Sequence, residues 1–339
     1  MTGTTRDEPG SVLALVSAIR RAAASLSPSD RLLVEVELNL HADHALPTLT
    51  ARQESLAAAL RCAAKTVRRR SDRALEALAL VMAAGEDEPV AGGDPRPGHD
   101  DLLRFWRLDG SAVVDVVCSE IPDEELPPYA RTGDRNYLRY AKFADLDTLM
   151  FVRTRLAQLA PHASVRDFAP SEHHETDAAA VIVIGGPPWN AKYREFMPQL
   201  PYHFEPHPLG QDDPLVVPML GSAPIGPRWT ARGELIDDVG VFTRLTLTSG
   251  TTVFLLGGCL TAGVLGAART FLHGDVGPAN VRWVHDHVGD DDVVVVVESR
   301  RFAGMTDTTE IAVDGPLLAL RRPRGASTFE VVKDHTRRR

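Results

Sequence analysis

The chain has 339 residues, of which 44% are hydrophobic and 24% are charged, and this composition excludes a wholly disordered protein. A net charge of −9 argues against a protein that coats nucleic acid, although it allows a local basic surface. Three widely separated cysteines, Cys62, Cys118 and Cys259, argue against a disulfide framework and favour a reducing cytoplasm. Because no apolar run reaches the ~18–20 residues of a membrane span, we expect no membrane contact.

Residues 1–85 are predicted to form a small all-α domain, because their apolar residues recur at helical spacing. Helices are expected over 11–26, 31–40 and 51–60, and a further helix begins near Ala64. The segment 31–40 also alternates like a strand, but its position among helices favours a helix. Only residues 61–63 separate the last two helices, which is the length pattern of a helix-turn-helix module.

The segment 46–85 resembles helix-turn-helix modules of the sigma-region-4 type and related bacterial regulators. The matching residues are Leu49, Thr50, Arg52, Leu56, Ala57, Leu60, Lys65, Thr66, Val67, Arg68, Arg69, Arg70, Ala74, Leu75, Leu78 and Ala79. The resemblance implies DNA contact through the last helix.

Charge supports this interpretation, since residues 61–73 contain six basic residues and one acid. The predicted DNA-binding residues are Lys65, Thr66, Arg68, Arg69, Arg70 and Arg73. The turn departs from the pattern at 62–64 (Cys-Ala-Ala), where the modules prefer glycine and a capping serine. A module that is kept for contact with a protein partner is therefore the open alternative.

A change of composition marks the rest of the chain. Residues 86–100 are rich in Gly, Pro and acid and are predicted to be a linker, while 326–339 form a basic tail. Between them, 101–325 alternate apolar strands with helices, which predicts a Rossmann-like α/β domain whose mostly parallel sheet has helices on both faces and ends in antiparallel strands. Strands are expected over 112–118, 164–168, 178–184, 239–248, 251–256, 293–298 and 309–319, and helices over 144–160, 189–200, 262–272 and 280–287.

Two of the predicted strands end in a double glycine, at 185–186 and at 257–258. Ligands bind outside the carboxyl ends of parallel strands, where glycines and helix N-termini hold phosphate groups. The first turn carries no acid and is followed by Lys192 and Arg194, which fits an anionic ligand. The predicted ligand-binding residues are Gly185, Gly186, Asn190, Gly257, Gly258, Thr261, Gly263 and Gly266. Tight turns and close helix packing are the competing explanation for the glycines.

This layout resembles the Rossmann-like nucleotide-binding domains of the SLOG and TIR-like group, which includes sensors and NAD-processing effectors of bacterial defence and signalling. The resemblance implies a nucleotide-type ligand, with NAD or another nucleotide as cofactor. Since NAD-hydrolysing members use one Glu, the strand-end residues Glu120 and Glu298 are the candidate catalytic residues. A helix cap or a solvated rim residue is the competing interpretation for each of them.

Two further features take a structural interpretation. Tyr137, Tyr140, Lys142 and Asp145 follow the first strand and could line the same crevice, but the favoured interpretation is that Asp145 caps the helix over 144–160. The runs 172–175 and 285–287 contain His with Asp or Glu, but their spacing matches no common zinc pattern, so we predict no metal.

Together these features predict a ligand-responsive sensor or regulator with a helix-turn-helix module. The expected partners are a nucleotide-type small molecule, DNA, a protein bound by the helical domain and a second copy of the chain. A nucleotide- or NAD-hydrolysing effector and a non-catalytic interaction module are the two alternatives.

Overall fold

A computed structural model of the protein describes residues 9–85, 98–174, 177–206, 212–221, 223–274, 276–302 and 305–338. The chain divides into two compact units, Met1–Val90 and Ala91–Arg339. Most of the predicted linker 86–100 lies outside the described residues, because these stop at 85 and resume at 98. In the described part of the chain, no helix has both the length and the apolar character that crossing a bilayer requires.

The first unit is helical, as the apolar spacing predicts. Its helices are α1 (Pro9–Ala24), α2 (Pro28–Glu37), α3 (Leu49–Ala59) and α4 (Ala64–Gly85). The Ser27 and Thr48 side chains accept hydrogen bonds from the first turns of α2 and α3, and these caps explain where the two helices begin. Apolar side chains of all four helices, among them Ala23, Leu33 and Leu56, form one buried core.

The second unit is an α/β structure. Its strands are β1 (Val113–Cys118), β2 (Ser164–Phe168), β3 (Ala180–Ile184), β4 (His203–Phe204), β5 (Leu215–Val216), β6 (Arg228–Trp229), β7 (Leu235–Thr246), β8 (Thr252–Gly258), β9 (Asp292–Phe302), β10 (Met305–Thr306), β11 (Leu318–Arg322) and β12 (Glu330–Asp334). Its helices are α5 (His99–Phe105), α6 (Leu146–Leu159), α7 (Ala191–Phe196), α8 (Thr261–Leu272), α9 (Gly277–Val288) and α10 (Ile311–Asp314).

The main sheet has the strand order β12-β11-β9-β7-β8-β3-β1-β2, with β6 and β10 added to β7 and β9. Neighbours within β2-β1-β3-β8 run parallel, and the remaining neighbours run antiparallel. This arrangement confirms a mixed α/β unit whose parallel part is finished by antiparallel strands. The central strands are continuously apolar because both faces of the sheet are covered.

The two faces of the sheet carry different elements. On one face, α6 and α8 place Leu149 and Phe271 in a buried core with β1 and β3. On the opposite face, α7 places Tyr193 and Phe196 in a second core with β3 and β7. Successive parallel strands therefore send their connections to opposite faces, which is the condition for a crevice at their carboxyl ends.

The elements α5, β4, β5, β6 and β10 were not predicted, and three predicted segments differ from the structure. The expected strand over 309–319 is instead the short helix α10 followed by β11, because Gly315 at φ +75° ends the helix and turns the chain. The expected tail over 326–339 supplies β12, whose backbone pairs with β11. The expected helix over 189–200 is α-helical only in α7, where Pro198 follows within two residues.

Candidate functional site

The candidate site lies where β1 and β3 end side by side. The chain leaves β1 toward α6 on one face, and it leaves β3 toward α7 on the other face. A cavity of about 1030 Å³ opens at this edge of the sheet, and Asp145, Gly186 and Gly258 are among the residues that line it. Open α/β sheets bind ligands at such a reversal of connection direction.

Asp145 is the buried polar group of this cavity. It stands at the N-cap position of α6, yet its side chain caps no backbone N–H, so the predicted cap is wrong. Instead the Ser119 hydroxyl donates a hydrogen bond of 2.5 Å to Asp145 Oδ2. The second oxygen, Oδ1, has no hydrogen-bond partner, and the residue is 8% exposed. Burial raises the pKa of the Asp145 carboxyl from its ordinary value of 3.8, and the Ser119 hydrogen bond opposes that rise.

The first glycine turn holds this carboxyl in place. Gly185 has φ +100°, and a Cβ there would lie 2.5 Å from Asp145 Oδ2 and 2.6 Å from Ser119 Cβ. Only glycine therefore allows β3 to approach the Ser119–Asp145 pair. Gly186 lines the cavity, and the nearest atom to a Cβ added there is Pro188 Cδ at 3.5 Å.

The predicted ligand residue Asn190 is fully buried and has a structural role. Its amide donates to the carbonyls of Val117 and Ile184, and so ties the ends of β1 and β3 together. Its carbonyl oxygen accepts from two N–H groups of the first turn of α7. All the hydrogen-bonding groups of its side chain are thus used within the protein.

The second double glycine is not a turn, since Gly257 and Gly258 are the last two residues of β8 and pair with β7; this segment serves mainly to pack α8 against the sheet. A Cβ on Gly258 would lie 2.5 Å from the Val264 nitrogen, and one on Gly257 would lie 2.7 Å from Tyr193 Oη. A Cβ on Gly263 or on Gly266 would collide with Val239 or with Ser299, respectively. From this segment, Gly258 and the exposed Thr261 line the cavity, whereas the other three glycines do not.

The N-terminus of α8 already holds an anion of the protein itself. The fully buried Asp238 carboxylate, on β7, accepts hydrogen bonds from the backbone N–H groups of Leu260 (3.1 Å) and Gly263 (2.5 Å). A carboxylate in this position satisfies the free N–H groups and the partial positive charge that would attract a phosphate. A carboxylate of the protein therefore occupies the position at the N-terminus of α8 where a phosphate was expected.

The cavity is acidic rather than basic. Among the described residues that line it, the carboxylates of Asp145, Asp212, Asp213 and Glu234 face a single guanidinium, that of Arg301. The two cations expected to attract an anion are engaged elsewhere. Lys192 pairs with Glu195 at 2.6 Å, and Arg194 donates to the carbonyl of Pro187.

Two tryptophans were missed by the sequence analysis. Trp189 and Trp229 line the cavity and are 41% and 45% exposed. Trp189 follows the first glycine turn, and Trp229 lies on β6, forty residues later in the chain. An exposed aromatic residue directly after a glycine turn is a signal that could have identified the first of them, but nothing local marks the second.

Neither candidate catalytic glutamate lines the cavity. Glu120 accepts a hydrogen bond of 2.8 Å from the Ser171 hydroxyl. Glu298 lies 3.7 Å from the Arg228 guanidinium and 3.8 Å from that of Arg300. Both side chains thus have the surroundings of a structural or rim residue.

In the helical unit, the basic residues of α4 are mostly free to meet a partner. Lys65, Arg69, Arg70 and Arg73 are exposed, and Thr66 is half-buried. Arg68 is also exposed, but its Nε donates to Gln53 Oε1 at 3.0 Å. This contact joins α4 to α3.

The His-containing runs do not converge on a metal site. Glu172 pairs with Lys142 and His173 lies 3.2 Å from Asp115, while Glu175 falls outside the described residues. No group of three or more His, Cys, Asp or Glu side chains within the described ranges is arranged to hold a metal ion. The chain matches no protein-family model, no curated protein and no solved structure.

Proposed function

We propose that the protein is a ligand-responsive regulator, whose α/β unit binds a small molecule and whose helical unit binds DNA. The observation that supports ligand binding by the α/β unit is Asp145, a carboxyl that lines the cavity where the strand connections change faces, and whose Oδ1 is buried without a hydrogen-bond partner. Burying such a group is costly unless a ligand or water satisfies it. The exposed tryptophans supply apolar surface around it, as in most small-molecule sites.

The proposal that the α/β unit binds a small molecule, the ligand half of the proposed function, is tested by a thermal-shift screen of the full chain. The probes are nucleosides, cyclic nucleotides, nucleoside triphosphates, ADP-ribose and NAD. A bound ligand raises the melting temperature by mass action. The Trp229→Ala variant should lose that rise, while Trp283→Ala, which removes a tryptophan stacked on His287, should keep it. A screen in which no probe shifts the melting temperature at millimolar concentration would refute the ligand half.

The DNA half is supported by the exposed basic residues of α4 on an otherwise acidic protein. Affinity for a random duplex should fall steeply with salt, since each phosphate contact contributes roughly 0.9 to the slope of log K against log salt. The double variant Arg69→Ala/Arg70→Ala should reduce that slope by roughly two. The matched control Arg20→Ala/Arg21→Ala removes the same charge from exposed positions of α1 and should change it little. Equal slopes for the two double variants would instead favour a protein partner for this unit.

A second function has one observation in its favour. The raised pKa and burial of Asp145 are the properties of a general acid, and other carboxylates line the same cavity. Hydrolysis of an N-glycosidic bond would use these groups: water adds to the anomeric carbon as the C–N bond breaks and gives its proton to another cavity carboxylate, while Asp145 donates its proton to the leaving nitrogen of a nucleoside. Nicotinamide would leave NAD without that proton. Release of free base from a nucleoside, abolished by Asp145→Asn, would favour this effector over the regulator.

A further inference from the structure

The charge and the aromatic surface of the cavity define the class of ligand more narrowly. We propose that the cavity takes a flat nitrogen heterocycle without phosphate groups, a nucleobase or nucleoside that is neutral or cationic, and that Asp145 accepts a hydrogen bond from one of its N–H groups. This inference rests on the proposed ligand-binding function and specifies it.

The charged side chains that line the cavity disfavour a ligand with several negative charges. Four carboxylates and one guanidinium line the described part of the cavity, so its potential repels a polyphosphate. The helix N-terminus that could have compensated is already neutralised by Asp238. A neutral or cationic ligand meets no such repulsion.

The aromatic residues favour a flat ligand. Trp189 and Trp229 each leave more than two fifths of their surface exposed, and both border the same cavity. Tryptophan faces bind nucleobases by stacking and bind cations through the ring quadrupole. The volume of about 1030 Å³ is at the upper end of small-molecule pockets, which leaves room for a base with its sugar.

Asp145 supplies the polar recognition. One of its oxygens is held by Ser119, which fixes the orientation of the carboxyl group, and the other is unpartnered. In its ionised form this carboxyl only accepts hydrogen bonds, so a ligand N–H that reaches Oδ1 would satisfy it, and the N–H edges of nucleobases are such donors. A ligand with only acceptor atoms would leave this oxygen unsatisfied.

Isothermal titration of the full chain with adenosine, guanosine and cytidine, and with the matching 5′-monophosphates and 5′-diphosphates, tests the inference. At least one nucleoside should bind, its monophosphate should bind at least tenfold more weakly, and its diphosphate more weakly still. Raising the salt concentration should reduce the difference in affinity between a nucleoside and its phosphates, because screening weakens the repulsion between the phosphate groups and the cavity carboxylates.

Two variants and a control complete the test. Asp145→Asn keeps the shape of the side chain and should weaken nucleoside binding about tenfold. Trp229 is exposed, so Trp229→Ala should leave the fold of the sheet intact. We expect this variant to bind the nucleoside at least fivefold more weakly. Trp283→Ala should bind like the wild type.

The outcomes separate this inference from the proposed function. If nucleotides bind as tightly as their nucleosides and Trp229→Ala still weakens their binding, the inference is overturned. The proposal of a ligand-binding regulator then remains. Nucleoside binding that is unchanged in both cavity variants would place the ligand elsewhere and overturn the inference as well. Failure of every nucleoside and nucleotide at millimolar concentration would overturn the inference, and the wider thermal-shift screen then decides the proposed function.

Discussion

The two double glycines, at 185–186 and 257–258, lie at the same edge of the sheet, but the structure uses them differently. At the first turn, Gly185 has a left-handed backbone and lies against the Ser119–Asp145 pair, while Gly186 borders the cavity. At the second double glycine, Gly257 and Gly258 lie against the side chain of Tyr193 and the backbone of α8. The first double glycine shapes a candidate site, and the second lets a helix pack closely on the sheet.

A glycine pair at a strand end therefore has no functional meaning until the atoms around it are known. The N-termini of α7 and α8 likewise show that the surrounding atoms decide the role of a turn. Asn190 caps α7 from the first turn, whereas α8 is capped by Asp238 from a different strand. The second double glycine matched the expected pattern for phosphate, but its anion is a carboxylate of the protein.

The largest expected effect separates the two double glycines directly. Gly258→Ala places a Cβ 2.5 Å from the Val264 nitrogen and 2.7 Å from the Leu260 oxygen, so helix and strand must move apart. We expect the free energy of unfolding to fall by about 3 kcal/mol, as in overpacked cores. Gly186→Ala meets nothing closer than 3.5 Å and should change it by less than about 1 kcal/mol. Urea denaturation of both variants measures the difference, and equal losses would show that the two double glycines are equivalent.

The next effect concerns the anion that fills the N-terminus of α8. Asp238→Ala leaves the N–H group of Leu260 without its acceptor and leaves that of Gly263 with only the Leu260 carbonyl at 3.1 Å, which should lower the free energy of unfolding by about 2 kcal/mol. Sulfate or phosphate should then recover more stability in the variant than in the wild type, because the helix N-terminus is free to bind it. If added anions stabilise both proteins equally, the internal carboxylate does not occupy an anion site.

A smaller, pH-dependent effect tests the first turn. Asp145 has a higher pKa in the folded protein than in the unfolded chain, so its contribution to stability is fully present below the ordinary value of 3.8 and is lost as the pH rises through the folded-state pKa. Asp145→Asn does not titrate, and its stability relative to the wild type should therefore increase between pH 4 and pH 8. Chemical denaturation across this range measures the change. Met150→Ala on α6 removes an exposed side chain that does not titrate, and this control should show no such trend.

The smallest effect extends the comparison to the turn between α3 and α4. Arg61 has φ +52°, a left-handed conformation that glycine adopts without strain. Arg61→Gly should raise the free energy of unfolding of the helical unit by about 0.5–1 kcal/mol, because relief of backbone strain outweighs the added freedom of the unfolded chain. Arg20→Gly, at an exposed position inside α1, should instead destabilise by a similar amount. Thermal unfolding followed by circular dichroism reports both changes.

Local spacing was enough to predict most elements, because apolar periodicity and capping residues act within a few positions of the chain. The segment 46–85 shows this, since the helix, short break and helix appear where the pattern places them. The sequence alone also placed the two double glycines at the carboxyl edge of the sheet. It failed at α10 and β12, where a glycine turn and pairing with β11 decided the structure.

The character of the cavity was decided by tertiary structure alone. From residues 179–193 the sequence predicted an anion-binding turn, yet Asp212, Glu234 and Trp229 reach the cavity from distant segments and reverse its charge. Pairing of β7 with β8 likewise brings Asp238 to the N-terminus of α8. The sequence determines which helix or strand each segment can form, because apolar periodicity and capping act within a few residues. The composition of a site depends on which strands become neighbours, and that follows from packing of the whole sheet.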